Sequence, residues 1–289
     1  MQAYDDAALL PGGPRLALRR TDGERRPVLL VHGLASNART WDGVAAHLTT
    51  AGHEVVAVDQ RGHGHSEQVA DGYTTPQCAD DLAQLIELLG FTGDRAPVVA
   101  GQSWGGNVVV DLAARHGGAA AMALVDGGWI QLSRRFATFD DCWAALAPPR
   151  FDAVRVDAMT RRMAQGHPDW SDEGVAGTME NFELLDDGTV RPWLRREHHR
   201  EIVRSMFEGE PAALFPLVEV PVLLVPVLAD PPNEKDVAKE AAVAEAEGLL
   251  ANAAIRRYLG ADHDVHVQHP QLIADDLLGL LARVERGQS

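Results

Sequence analysis

Four short runs, PVLLV (27–31), VVAV (55–58), PVVA (97–100) and VPVLLV (220–225), are almost wholly apolar and rich in valine. A strand with one wet face alternates polar and apolar residues. A strand with no polar side must be covered on both faces, as in a parallel sheet packed between helices. Longer amphipathic stretches separate these runs. WDGVAAHLTTAG (41–52) reads as a helix ended by Gly52, and TPQCADDLAQLIELLG (75–90) as a helix with Thr75 as N-cap, Pro76 in its first position and Gly90 at its end. GNVVVDLAARHG (106–117) and a last segment from Pro270 through QLIADDLLGLLARV read as two more. RLALRR and RPVLLVHG read as strands joined by a TDG turn, and AMALVDG and AIRRYLG as further strands. The alternation predicts an α/β fold: a doubly wound, mostly parallel central sheet flanked by helices, with ligands at the C-terminal ends of its strands.

The alternation stops after Gly128. The segment that follows holds four of the six tryptophans (Trp129, Trp143, Trp170, Trp193), five phenylalanines, and Met159, Met163, Met179 and Met206. It is too long for a loop in a compact domain. It is expected to be a mainly helical cap, residues 129–212, inserted into a core formed by 1–128 and 213–289. Asp187-Gly188 within it signals a turn and a small hairpin. KDVAKEAAVAEAEGLL, past the cap, has the residue types and spacing of a helix.

The formal net charge of −16 argues against a nucleic-acid partner, since a polyanion would be repelled. The arginine pairs 134–135, 161–162 and 195–196 are interleaved with acids and read as solvated faces. No run of about 18 apolar residues predicts a membrane span. MQAYDDAALLPGG lacks the basic and apolar regions of a secretory leader. Two cysteines without a C-x-x-C pair fit a reducing cytoplasm and no thiolate metal site. The expected partner is a small-molecule substrate, with no cofactor.

VVAGQSWGGNVVV contains Gly101-Gln102-Ser103-Trp104-Gly105. G-x-S-x-G alone is a weak signal. Between a buried strand and a helix it has the context of a nucleophile elbow, a turn so tight that the residues two before and two after the serine must be small. The helix start places free N–H groups and partial positive charge beside Ser103. A serine nucleophile needs an oxyanion hole. The N–H of Trp104 is one candidate donor. Leu34, after the strand that ends in His32-Gly33, is the other, with His32 holding the loop.

VHGLASNARTW, DQRGHGHS (59–66), GQSWGG, VPVLLVPVLAD and GADHDVHVQHP occur in an order that resembles the α/β-hydrolase superfamily, and they span nearly the whole chain outside the cap. The resemblance implies a serine-nucleophile, esterase-like member with an α/β-hydrolase fold and the chain order Ser, acid, His. Asp59 and Arg61 take structural roles in it. The acid usually follows the strand after the cap, which points to Asp230, although Val227 stands where relatives show glycine. Asp126, at the end of the preceding strand, is the alternative acid. Relatives carry a proline seven residues after the catalytic histidine, and Pro270 sets that register on His263. His266 becomes a structural neighbour and His269 a bystander. Zinc held by the three is disfavoured, because Pro270 starts the helix only after them.

The combined reading is a serine hydrolase that cleaves an ester, thioester or lactone of a small, mostly apolar substrate through an acyl-enzyme on Ser103. Alternatives keep the triad for C–C bond hydrolysis, acyl transfer or cofactor-free perhydrolase chemistry, or make the chain a non-catalytic ligand receptor.

Overall fold

The computed structural model describes residues 6–287, so the first five residues of the stretch read for a leader lie outside it. In chain order the core begins with β1 (Asp6–Leu9), β2 (Arg15–Thr21), β3 (Arg25–Val31), α1 (Asp42–Thr50), β4 (His53–Val58) and α2 (Thr75–Leu88). It continues with β5 (Val98–Gln102), α3 (Trp104–Arg115) and β6 (Ala121–Val125). An insertion follows: α4 (Phe139–Leu146), α5 (Val156–Gly166), α6 (Asp172–Met179), the hairpin β7 (Phe182–Leu184) and β8 (Val190–Pro192), α7 (Arg196–Glu208) and α8 (Pro211–Leu214). The core resumes with β9 (Val222–Val225), β10 (Val227–Leu228), α9 (Glu234–Leu249), β11 (Ala253–Ile255), β12 (Tyr258–Leu259), α10 (Val265–Gln268) and α11 (Pro270–Gly287).

The main sheet has eight strands in the order β1-β2-β4-β3-β5-β6-β9-β11. β2 pairs antiparallel with β1 and β4, and from β4 to β11 every pairing is parallel. β2 and β3, read as strands sharing a turn, are not sheet neighbours; β4 lies between them. The apolar strands divide their side chains between two cores. Leu29, Val31, Val56, Val58, Val99 and Leu124 pack against α2, α3 and α9. Val28, Leu30, Val55, Ala57, Val98, Ala123 and Val125 pack against α1 and α11. Each fully buried Val or Leu contributes about 1.5–3 kcal/mol, and both faces need that cover. This is the arrangement the valine-rich runs predict.

Local chemistry shifts one helix start. The N-cap of α2 is Thr74, whose hydroxyl accepts the Gln77 N–H at 3.3 Å. Thr75, the expected cap, lies inside the helix, where its hydroxyl instead accepts the indole N–H of Trp104 at 3.0 Å. Asp187-Gly188 makes the turn of the β7–β8 hairpin, with Gly188 at φ +78°.

Asn37 ties the insertion to the loop after β3: its amide donates to the Gly177 carbonyl at 2.9 Å and to Asn181 at 2.6 Å. Arg39 pairs with Glu180 at 2.7 Å. Asp59 and Arg61 are buried. Asp59 accepts the N–H groups of Ala38 and His65, and Arg61 grips Asp81 with two bonds of 2.7 Å.

Candidate active site

Ser103 stands between β5 and α3 at φ +52°, ψ −124°. A non-glycine residue there stores about 1–3 kcal/mol of strain, so neighbours must hold it. Its N–H donates to the Val125 carbonyl at 2.9 Å and its carbonyl accepts the Gly106 N–H at 3.0 Å. The glycines leave room for the turn. A Cβ on Gly101 would sit 2.4 Å from the Gly105 carbonyl oxygen, and one on Gly105 would sit 2.4 Å from that of His32. Gly127 is tighter still: its Cβ would fall 2.0 Å from the Ser103 carbonyl oxygen. Among the described residues four non-glycine positions have positive φ, and three are Ala35, Ser103 and Asp126. Strain of this kind clusters where function demands it.

Two neutral histidines brace the loop after β3. Gln60 N–H donates to His32 Nε2 at 3.0 Å, which leaves Nδ1 as the protonated nitrogen, donating to the Gly33 carbonyl at 2.7 Å. His63 Nε2 accepts the Ala35 N–H at 3.2 Å, and its Nδ1 lies 3.0 Å from the Arg61 carbonyl. Burial lowers the His32 pKa to about 4 and that of His63 well below its ordinary value, so both stay neutral acceptors at neutral pH. Gly33 and Ala35 are thus tied down on either side of Leu34. Among the described residues no acceptor takes the N–H of Leu34 or of Trp104. Gly33 also abuts the serine: a Cβ there would lie 3.0 Å from Ser103 Cβ.

His263 follows the last strands. Its Nδ1 donates to Asp126 Oδ2 at 2.6 Å, which leaves Nε2 free to exchange a proton. Gln102, next to Ser103, donates to the His263 carbonyl at 3.2 Å and to Asp264 at 3.3 Å, so the histidine loop is bonded to the elbow. Loss of solvation lowers the His263 pKa, but the hydrogen bond and charge of Asp126, helped by Asp264, outweigh it and leave it raised. Burial raises the Asp126 pKa, but His263 and Lys239 overcome that and hold the carboxyl below its usual range.

A family model described as "Alpha/beta hydrolase family" matches residues 28–276. The chain belongs to that family. Within it, the chain is 27% identical over 266 residues to a non-heme haloperoxidase of Rhodococcus erythropolis, covering 90% of this chain and 93% of that one. It is 28% identical over 262 residues to a non-heme chloroperoxidase of Streptomyces lividans, covering 88% and 91%. Among solved structures, E-2-(acetamidomethylene)succinate hydrolase superposes with a TM-score of 0.76 at 22% identity, covering 93% of this chain and 96% of the other, which speaks for the shared fold. The protein is an enzyme of the α/β-hydrolase superfamily, with an eight-stranded, mostly parallel sheet flanked by helices.

The α/β-hydrolase resemblance points to Asp230 as the partner of His263, and the structure brings Asp126 there instead. Asp230 is exposed and bonded to no histidine among the described residues, whereas Asp126 holds His263. The cause is local. After β9 the chain leaves the main sheet as β10, which pairs with β12. The next turn is committed to capping α9: Ala229 and Asn233 donate their N–H groups to Asp236 at 3.2 and 2.8 Å. That turn carries Asp230 out to solvent, and Val227 N–H donates to Asp126 at 3.0 Å.

The three clustered histidines do not converge. His266 sits on α10, fully buried with its ring 4.4 Å from Trp41. Burial lowers its pKa to about 3. Among the described residues no group of three or more His, Cys, Asp or Glu could hold a metal ion. Asp262 and Asp264 part company. Asp264 faces Gln102 and His263. Asp262 accepts His167 and Trp170, both at 2.9 Å, and so ties the histidine loop to the insertion. Nothing at sequence level pointed to His167 or Lys239. His63 lies within DQRGHGHS without a role read for it, and Gly127 is marked only by its place between Asp126 and Gly128.

A cavity of about 650 Å³ opens beside the loop after β3. Ala35, Ser36 and His63 line it on the core side, and Phe151, Phe182 and Trp193 on the insertion side. It adjoins Ser103 through that loop and is not lined by Ser103 itself. Of the insertion's aromatic and methionine set, only those three aromatics reach it.

Proposed function

We propose that the protein is a serine hydrolase acting on an ester, thioester or lactone of a small, mostly apolar substrate. One observation carries the reading: a serine held at φ +52° at a strand-helix turn, with a histidine bonded to its loop and oriented by a buried carboxylate. His263 Nε2 takes the Ser103 proton as Oγ attacks the carbonyl carbon. Asp126 keeps the Nδ1–H tautomer and stabilises the imidazolium. The N–H groups of Leu34 and Trp104 receive the developing oxyanion. The leaving group departs with the His263 proton, and water, activated by His263, releases the acid from Ser103. The 650 Å³ cavity suits an aryl or medium acyl substituent running past Ala35. Cys78 and Cys142, both free and buried, fit a cytoplasmic setting.

A panel of esters, thioesters and lactones of varied chain length tests the reading, with a fluorophosphonate probe as reporter. Wild type should label and turn over; Ser103→Ala should do neither. Labelling retained by Ser103→Ala would sink the assignment.

The names of the haloperoxidase relatives support a second outcome on the same acyl-enzyme. Hydrogen peroxide in place of water would release a peracid and regenerate Ser103. Product analysis with peroxide competing against water distinguishes the two.

A further inference from the structure

The chain holds 26 basic side chains, and Lys235 and Lys239 are its only lysines. Lys239, on α9, meets Asp126. Its Nζ lies 2.8 and 2.9 Å from the two carboxylate oxygens and 2.6 Å from the Val227 carbonyl. Three acceptors converge on three ammonium protons. A guanidinium spreads its donors over a planar fork and does not converge on one point, so an ammonium suits this position. The Asp126 side chain is 2% exposed and that of Lys239 28%. With Lys239 in place each Asp126 oxygen has two donors: Val227 N–H and Lys239 on Oδ1, His263 and Lys239 on Oδ2.

We propose that Lys239 is a positioning residue for the His263–Asp126 pair: it locks the carboxylate toward Nδ1 and offsets its charge, so that His263 releases its proton in the working pH range. The catalytic meaning rests on the serine-hydrolase reading; the electrostatic coupling does not. Asp126, at the end of β6, and Asp264, on its own loop, favour the imidazolium, and Lys239, from α9, opposes it. His266, from α10, is neutral at working pH and adds no charge there. Without a counter-cation the buried carboxylate would hold the histidine proton more firmly, and the base would need a higher pH to be neutral.

The test is the His263 titration midpoint, read by NMR on imidazole-labelled protein. Lys239→Met should move it to higher pH, and Lys239→Arg, which keeps the charge but not the convergent donors, should move it less. An unmoved midpoint in Lys239→Met overturns the proposal. If that variant does not fold, lysine labelled with ¹⁵N at Nζ gives two signals in the wild-type protein. The Lys239 signal must then titrate with the His263 midpoint, and a signal blind to it overturns the proposal equally. In activity, kcat/KM of Lys239→Met should fall about three- to tenfold at pH 6 and less on the alkaline plateau. A uniform loss at every pH would overturn the charge-offsetting role. Should Ser103→Ala retain turnover, the hydrolase reading fails and both NMR outcomes still decide the role of Lys239.

Discussion

Asp126 and Asp230 differ in what surrounds them rather than in chemistry. One is buried and bonded to His263; the other is exposed on the turn that caps α9. Asp126→Asn should therefore lower kcat on the order of 10³- to 10⁴-fold, by removing the charge that orients and stabilises the imidazolium. Asp230→Asn should stay within about twofold of wild type. Steady-state kinetics of the pair checks the assignment, and equal losses would contradict it. The raised pKa of His263 adds a pH prediction. The base must be neutral to act, so the acid limb of kcat/KM should lie above 6.5, the ordinary histidine value.

At the scale of elements, the site is a set of loops at the strand ends, and each is fixed by a neighbour distant in sequence. The loop after β3 is held by His63 through Ala35 N–H, and the histidine loop by Gln102 and, from the insertion, by His167 and Trp170. His63→Leu removes the acceptor for Ala35 N–H and, on the proposed serine-hydrolase reading in which this loop positions an oxyanion donor, should lower kcat about tenfold or more with a smaller change in KM. A loss confined to KM would show that the loop serves binding alone. Helices and buried strands were legible because apolar periodicity and caps are local properties. β10 was not, nor was the division of the AIRRYLG run between β11 and β12, since two-residue strands carry no period of their own.

For the whole molecule, buried histidines make stability depend on acid. His32 titrates at about 4 and His266 at about 3, His63 is held well below its ordinary value, and an unfolded chain would protonate all three near 6.5. Their contribution is fully present above pH 6.5 and is lost as the pH falls toward their folded values. Each adds a slope of up to about 1.4 kcal/mol per pH unit. His263 runs the other way: its raised pKa contributes stability below 6.5 that disappears as the pH rises through the folded value. His53, His198 and His199 are lowered as well, and only His65 joins His263 in being raised, so the lowered set prevails: the denaturant midpoint should drop clearly between pH 7 and pH 5, and His266→Leu should flatten that drop. A midpoint independent of pH over this range would contradict the neutral-histidine account. No helix among the described residues is long and apolar enough to cross a membrane.

The sequence by itself determined the covered parallel sheet and the strand-serine-helix turn. Each is written in neighbouring residues: valine runs with no polar side, and glycines two positions either side of Ser103. Only the tertiary structure decided which carboxylate meets the histidine, because that depends on where the chain after β9 travels. It also revealed Lys239 beside Asp126, 113 positions apart in the chain and 2.8 Å apart in space. A charge acts over ångströms, and the sequence records only the order in which residues are joined.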